Sequence, residues 1–569
     1  MAKRWELRHT EEAVPDPALC GLQLAPLVQG ILTARGCTTA DEIRRFLAPS
    51  LSDMLDPCLL RGMDRAVARL LAARRDADKI CIYGDYDVDG ITGTALLVSF
   101  LRACGFSCTY FIPNRFDDGY GLNSASIESI IDLGATLILA VDCGITAVDE
   151  AELCRQRGVD LIIVDHHAPK EELPDACAVL NPLQPGCPYP FKSLAGVGVA
   201  FNLLVALRAA LREAGVFQDV PVPDLRRWLD LVALGTIADV VPLVGQNRIY
   251  AHHGLKQIAQ SSKPGIVALK RVAGIKEGAV SCGQVGFRLA PRLNAAGRME
   301  SAVPGVDLLM NDNLEQSLSI AAELDTANAE RQAIERRIFE EAVAQVESAG
   351  GYPGQRSIVL ASAEWHQGVI GIVASRLVER YHRPTILIAL TEDGLGKGSG
   401  RSIPGFHLLE ALVACSQQLL RFGGHRYAAG VGLKADAVPA FAKAFEAVAG
   451  RTLTENDLVP RLTIDAEVQP ADVTRELALE LKRLEPFGMG NPEPLLLLRG
   501  MTVVERRNVG EGHLRLRLAR NGCTFVAIAF NLADRETTGL VDVAFIPEMN
   551  EWNGSSSLQL RVKDLRTAE

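Results

Sequence analysis

Apolar residues follow two periods along this chain. Short runs such as ICIY (80–83), LILAV (137–141) and LIIV (161–164) are apolar throughout. Between them, Ser124 to Leu133 and Thr146 to Arg157 show helical spacing. The runs predict strands buried on both faces, the spaced segments predict amphipathic helices, and their alternation predicts a parallel sheet. A further apolar helical segment runs from Trp228 to Ala238.

The same pattern divides the chain. Residues 1–60 hold short helical patterns separated by Pro15, Pro17 and Pro49 and read as an N-terminal extension. The α/β unit runs over 65–310, with the proline-rich NPLQPGCPYP (181–190) as an internal loop. Residues 313–350 contain no proline and no internal glycine, which predicts one long helix, or two. Leu318, Ile334, Ile338 and Val346 make too sparse a stripe for a coiled coil, so a rigid connector between two domains with a cleft between them is expected. A second α/β unit covers 351–455, and its polar loops carry glycine. From 460 to 569, runs such as RLTIDAEV, LRLRLAR and TFVAIAF with glycine-containing turns predict a small β-barrel of the OB-fold kind.

Composition narrows the possible classes. The 569 residues are 48% hydrophobic and 22% charged, an ordinary globular balance. A net charge of −10 argues against bulk attraction to nucleic acid but leaves room for a local basic groove. The 13 cysteines form no CxxC pair, so structural zinc is not expected and the thiols read as reduced. No apolar run reaches the roughly 18 residues of a membrane span, and MAKRWELRHTEEAVPDP lacks the apolar core of a signal peptide; a soluble cytoplasmic protein is expected.

The chemistry lies just beyond the predicted strands. Asp85, Asp87 and Asp89 occupy every second position after the first run, Asp142 follows the second, and Asp165, His166 and His167 follow the third. Asp239 ends the apolar helical segment. In a parallel sheet these clusters share the C-terminal edge, where open α/β sheets bind ligands. So many like charges require protonation or a cation, and carboxylates with one or two imidazoles suit a pair of Mn²⁺ or Mg²⁺ ions. Such a pair can activate a water and clamp a phosphate. At a strand-to-loop junction the two histidine rings point differently, so one can ligate metal and the other meet substrate.

Cationic and glycine-rich stretches suggest how a phosphate is held. RLAPRLNAAGRM (288–299) places Arg288, Arg292, Asn294 and Arg298 together. KGSGRSIPGFHLLEAL (397–412) sets Ser399 and Arg401 in small flexible residues ahead of a helix, and FGGHRYAAG (422–430) surrounds His425 with glycine. Arg515 and Arg517 fall on one face of a strand, within a segment (499–522) of six arginines and two glutamates. An OB-fold laying single-stranded nucleic acid across that face accounts for both the barrel and the metal cluster.

The chain resembles the DHH phosphoesterase superfamily and, within it, the RecJ family of single-strand-specific exonucleases. The resemblance is carried by GDYDVDG (84–90), VDCG (141–144), VDHH (164–167), LGTIADVVPL (234–243), RLNAAGR (292–298), SGRS (399–402), GGHRYAAG (423–430) and PFGMGNPEP (486–494). It implies a DHH catalytic domain, a connecting helix, a DHH-associated substrate-binding domain and an OB-fold-like nucleic-acid-binding domain. It further implies two ions held by Asp87, Asp89, Asp142, His166 and Asp239, with Asp85 in or beside that set, and catalytic roles for His167 and Asp165. Arg115, Ser399 and Arg401 would bind a terminal 5′-phosphate. Some relatives carry histidine where Tyr83 stands here. The implied reaction is stepwise 5′-to-3′ hydrolysis of single-stranded DNA to 5′-mononucleotides in repair and recombination, by a monomer supplied with substrate by a helicase or a single-strand-binding protein. Two other classes use the same scaffold: a phosphodiesterase of short oligonucleotides or cyclic dinucleotides, which needs no basic barrel, and a non-catalytic binding member, which would lack several of the acids.

Overall fold

The computed structural model describes residues 3–8, 23–115, 121–348, 350, 354–537, 539–552 and 555–568. The helical patterns around Pro15 and Pro17 therefore lie outside the described residues. The chain forms two compact units, one containing residues 6–297, 301–322 and 463–569, the other 298–300 and 323–462 together with the N-terminal five residues.

The first unit contains a five-stranded parallel sheet of β1 (Lys79–Gly84), β2 (Ser107–Phe111), β3 (Leu137–Val141), β4 (Asp160–Val164) and β5 (Ala178–Leu180), in the order β2-β1-β3-β4-β5. From β1 the chain crosses over α1 (Val88–Ala103) to β2 on one side, then returns through α2 (Ser124–Asp132) to β3 on the other. The strand order thus reverses between β1 and β3, the position at which such sheets open a crevice. Helix α3 (Val148–Gln156) leads into β4. Cys81, Tyr83, Ile138, Ala140, Leu161 and Ile163 pack against Ile127 and Ile130 of α2 and Ala151 and Cys154 of α3, so these strands are buried as their apolar runs predict. On the other side α1, buried along most of its length, packs against α4 (Gly196–Glu213) and α5 (Leu229–Ala238). Gly235 permits that approach: a Cβ there would lie 2.3 Å from Thr92 Oγ1.

The second unit holds a five-stranded sheet of β6 (Ile358–Ser362), β7 (Thr385–Leu390), β8 (Leu395–Arg401), β9 (Arg421–Gly424) and β10 (Ala428–Lys434), in the order β9-β10-β8-β7-β6. Residues 397–401 form part of β8, paired with both neighbours, and are not the flexible loop expected from the sequence. Their glycines alternate toward a packed face. Added Cβ atoms at Gly396 and Gly398 would lie 2.8 Å from Ile388 and 2.5 Å from Val431. Lys397, Ser399 and Arg401 take the alternate positions of the strand.

In the first unit, β11 (Leu496–Val509), β12 (His513–Arg520), β13 (Cys523–Ala529), β14 (Leu540–Trp552) and β15 (Ser555–Thr567) close into a barrel. Strand β11 pairs with β12 and β14, and the circuit runs β11-β12-β13-β15-β14-β11. Leu496, Leu498, Leu514, Leu516, Val541, Leu560 and their neighbours fill it. Val28, Ile31, Leu32 and Ile43 from the N-terminal helices join the same core, so the extension covers the barrel. In α6 (Gly245–Gln260), buried Arg248 donates to the carbonyls of Phe46, Leu484 and Glu485 at 2.8, 3.1 and 2.7 Å, fastening the extension and barrel to the sheet domain. Residues 314–348 form one uninterrupted helix.

Candidate metal centre

Strand register builds this site. Gly84, Val141, Val164 and Leu180 lie in one row across β1, β3, β4 and β5. Asp85, Asp142 and Asp165 are the next residues on three of these strands, so adjacent strand ends deliver three carboxylates side by side. Strands about 4.8 Å apart leave the acids no room to avoid one another.

Local hydrogen bonds aim the remaining side chains. Asp87 caps α1, its Oδ1 accepting from the Asp89 and Gly90 amides at 2.9 and 3.2 Å. Asp89 accepts from the Gly196 and Val197 amides at 2.6 and 2.9 Å in the first turn of α4, where the helix dipole favours an anion. Asp142 holds the left-handed backbone conformation, φ 63°, as does Val240 immediately after Asp239, φ 59°. That conformation is unfavourable for a β-branched valine, and such strain collects at functional sites. Gly196 is small because a Cβ there would lie 2.7 Å from Asp142 Oδ1.

His166 points into the acids: its Nε2 lies 3.2 Å from Asp142, 3.6 Å from Asp239 and 3.9 Å from Asp89. His167 is held differently. Its Nδ1 bonds Asp165 Oδ1 at 2.8 Å, while Asp165 also accepts from the amides of Ile145, His166 and His167. Asp165 therefore orients a ring and a turn, whereas His166 presents a ring nitrogen to the acid cluster.

The electrostatics distinguish the same roles. Burial, then the neighbouring charge of Asp87, raises the Asp85 carboxyl well above its usual range and lifts Asp89 to about 7. Burial and Asp89 raise both Asp142 and Asp239. Burial and the adjacent His167 depress His166 to about 4, keeping it the neutral imidazole a metal needs. Burial opposes charge on His167, but the Asp165 bond and charge outweigh it and raise the ring to about 9; the same bond overcomes burial and takes Asp165 down to about 2.

The residues present fit divalent ions. Buried Asp85 Oδ1, His166 Nε2 and Asp239 Oδ2 find no hydrogen-bond partner among the described residues, a costly arrangement that a cation relieves. Three donor sets each fall within 4.8 Å: Asp85, Asp87 and Asp142; Asp89, His166 and Asp239; Asp142, His166 and His167. Asp142 and His166 each belong to two of these sets. The oxygen-rich donors with one neutral imidazole suit Mn²⁺ or Mg²⁺. Tyr83 turns elsewhere, its hydroxyl donating to the Gly121 carbonyl at 3.0 Å.

The predicted phosphate ligands are distributed unevenly. Arg115 lies over the Tyr86 ring at 5.0 Å, and its charge acts on Asp85. Residues 116–120 of its motif lie outside the described residues. Asn294 Oδ1 accepts from the Val88 amide at 3.1 Å, so it shapes the acid loop, and Arg288 is exposed. Arg298 donates to the Gly368 carbonyl at 3.2 Å within the second unit. There Arg401 donates to Ser399 Oγ at 3.1 Å, and both approach Gly371 in the first turn of the 370–381 helix. The helix end that Ser399 and Arg401 adjoin is therefore the start of the 370–381 helix, rather than that of the following 408–414 helix that the sequence suggests. His425 sits exposed in the β9–β10 turn. Sequence reasoning missed Gly196 and Val197, which hold Asp89 by backbone amides and so leave no side-chain signal.

A parallel sheet with Asp, Asp and Asp-His-His at adjacent strand ends, completed by a helix-borne Asp, defines a DHH phosphoesterase. Matches to family models extend across the chain: the DHH family N-terminal domain over residues 79–236, the DHHA1 domain over 354–451 and the RecJ OB domain over 464–564. The chain belongs to the RecJ family. It is 40% identical to the single-stranded-DNA-specific exonuclease RecJ of Bacillus subtilis, covering 100% of this chain and 71% of that protein. It is 39% identical to the enzyme of the same name from Escherichia coli, covering 99% and 100%. A crystal structure of RecJ from Thermus thermophilus in complex with Mn²⁺ superposes with a TM-score of 0.86 at 34% identity, covering 100% of this chain and 80% of that one. The Mg²⁺ complex of the Thermus protein gives 0.80 at 33%, covering 100% and 79%.

Proposed function

We propose that the protein is a metal-dependent exonuclease that hydrolyses single-stranded DNA stepwise from its 5′ end and releases 5′-mononucleotides in DNA repair and recombination. The observation that carries this reading is the row of register-aligned acids with its Asp165–His167 pair, in a chain that also closes a barrel bearing arginines on one face. The names of the relatives support single-strand specificity. The 5′ direction rests on family membership and on the Ser399–Arg401 pair, whose geometry suits a terminal phosphate.

Divalent ions held by Asp85, Asp87, Asp89, Asp142, His166 and Asp239 supply a water of lowered pKa and an electrophilic grip on phosphate oxygens. The protein's own groups do the rest. Asp165 fixes His167 through Nδ1, leaving Nε2 to donate to a phosphate oxygen or to the departing 3′ oxygen. In its protonated form the His167 ring would also offset charge that builds on the phosphoryl oxygens. Arg401 forks onto the terminal phosphate, and Arg515 and Arg517 pair with backbone phosphates further along. No helix among the described residues is long and apolar enough to cross a membrane. A monomer in the cytoplasm, receiving strands from a helicase or a single-strand-binding protein, completes the proposal.

The test compares one strand labelled at either end, incubated with Mn²⁺. Early release of labelled mononucleotide from the 5′ label alone is expected. Equal early release from both ends, or a preference for dinucleotides over long strands, overturns the proposal.

A further inference from the structure

Asp239 is the one acid of the metal cluster that neither the sheet edge nor α1 delivers. It caps the C-terminal end of α5, and Val240 after it turns the chain with φ 59°. Glycine ordinarily takes that left-handed position, because a β-carbon, and above all a branched one, crowds the neighbouring carbonyl. Val240 is 60% exposed, so packing of its own side chain does little to offset the turn. A residue strained in this way keeps its conformation only where the surrounding structure dictates it.

The motif PFGMGNPEP (486–494), far along the chain but in the same unit, dictates it. The Met489 carbonyl accepts from the Leu243 amide at 2.7 Å. Gly488 and Gly490 lie close against the same segment: added Cβ atoms would stand 2.7 Å from Leu243 Cδ1 and 3.1 Å from Pro242 Cβ, and Gly490 holds φ 72° besides. Asn247 of α6 adds a bond to the Pro242 carbonyl at 3.1 Å. The loop is itself fixed. Buried Asn491 donates to the carbonyls of Leu484 and Pro486, both at 2.9 Å, and accepts from Arg35. The backbones of Gly488 and Asn491 bond each other in both directions, at 2.9 and 3.1 Å.

We propose that the 486–491 loop is a positioning element of the metal centre. By fixing the residues after Val240 it holds the strained turn, and so keeps the Asp239 carboxylate beside Asp89 and His166. Asp239 belongs to that donor set alone, whereas Asp85, Asp87 and Asp142 take their places from strand ends and the cap of α1. The brace is therefore selective for one ion of a pair. Since the loop leads into β11, the contacts that seat the barrel also set the affinity of that ion. The proposal rests on the metal-dependent reading above and adds to it a control on one of the two ions.

The test titrates Mn²⁺ into the full-length, metal-free protein by calorimetry and follows cleavage of a 5′-phosphorylated single strand across Mn²⁺ concentrations. Gly490→Ala forces a Cβ onto Pro242 at a φ that suits glycine. It should weaken one ion by about 10- to 100-fold, the range for loss of a group that orients a ligand, and leave the other within about twofold. The weakened ion should be the one that Asp239→Ala loses. Turnover should fall at low Mn²⁺ and recover at high Mn²⁺, with KM for the strand little changed. Adding Val240→Asn should restore most of the affinity, because asparagine takes the left-handed conformation without the cost of a branched side chain. Gly488→Ala, which presses only on the movable Leu243 side chain, should show the same one-ion loss at smaller size and gives the result if Gly490→Ala does not fold. Equal weakening of both ions, no weakening in a folded variant, or no recovery with Val240→Asn would each overturn the brace. Wild-type protein that takes up two Mn²⁺ and degrades the strand upholds the functional reading whatever the variants do. Two ions without cleavage overturns that reading alone, and uptake of fewer than two overturns both.

Discussion

The metal-site edge of the parallel sheet and the outer face of the barrel both concentrate charge, yet they obey different physics. At the sheet edge, Asp85, Asp89 and Asp142 are 1–2% exposed and fixed by strand register and backbone amides. Each is costly alone, and together they demand a cation. On the barrel, Arg515 lies directly across β12 and β11 from Arg507, and Arg517 across from Glu505, all in water. Like charges facing one another there cost little and are screened by salt. Burial makes the acids interdependent, so loss of one should disable the set. Exposure makes the arginines additive, so loss of one should weaken binding by a small, salt-dependent step.

The largest effect is expected within the buried set. Asp239→Ala and Asp89→Ala should each lower turnover by about 10³-fold or more, the several kcal/mol that metal charge contributes at a phosphoryl centre. Their metal-free stabilities should diverge. Asp239→Ala removes a repelling acid and should raise Tm in EDTA by a few degrees, whereas Asp89→Ala strips the Gly196 and Val197 amides of their acceptor at about 1–3 kcal/mol and should lower it. Equal Tm shifts in calorimetry would show that the amide caps contribute nothing beyond charge.

Next in size is the histidine pair. His167→Ala should lower kcat by about 10²-fold with metal content retained, as loss of a proton donor or transition-state contact does. Asp165→Asn should cost about 10-fold, since the ring loses its orienting anion but stays in place. Metal loss from His167→Ala, measured by titration calorimetry, would make His167 a ligand, in keeping with the third donor set.

Outside the buried set the effects should shrink. Arg401→Ala should bring 5′-phosphorylated and 5′-hydroxyl strands to within about twofold of each other in kcat/KM, because a guanidinium gains far more from a doubly charged phosphate than from a hydroxyl. Unchanged discrimination between the two ends would remove Arg401 from that role. The smallest step is at the barrel. Replacing Arg515 and Arg517 together by alanine should flatten the log–log salt dependence of long-strand binding by roughly 0.7 per lost contact, with chemistry on short oligonucleotides little changed. An unaltered slope would make this face merely solvated, and equal losses on both lengths would indicate a folding defect.

The fold class was legible because it depends on period. Fully apolar runs separated by helical spacing require a parallel sheet whatever the side chains' identities, and alternating LRLRL and TFVAIA require a sheet with one wet face. The metal candidates were legible for a related reason: carboxylates directly after apolar runs must emerge at strand ends. Residues 397–401 misled because glycine suggests freedom. Here the alternation of glycine with Lys397, Ser399 and Arg401 is a strand's period of two, and the glycines are small because Ile388 and Val431 press on them.

Other features depend on contacts between segments far apart in the chain, which local pattern does not encode. Asp165 reads in the sequence as one more acid of the cluster, but its bonds to His167 and three amides make it an orienting group. Asp89 and the Gly196 amide are 107 residues apart, and Asn294 and the Val88 amide 206. The N-terminal extension had no readable role until Val28, Ile31 and Ile43 were found in the barrel core. Strand periods and terminal acids are properties of neighbouring residues, so the chain announces its sheet and its metal chemistry locally. Which acid binds and which one orients depend on long-range packing, where a backbone amide or a missing Cβ counts as much as any side chain.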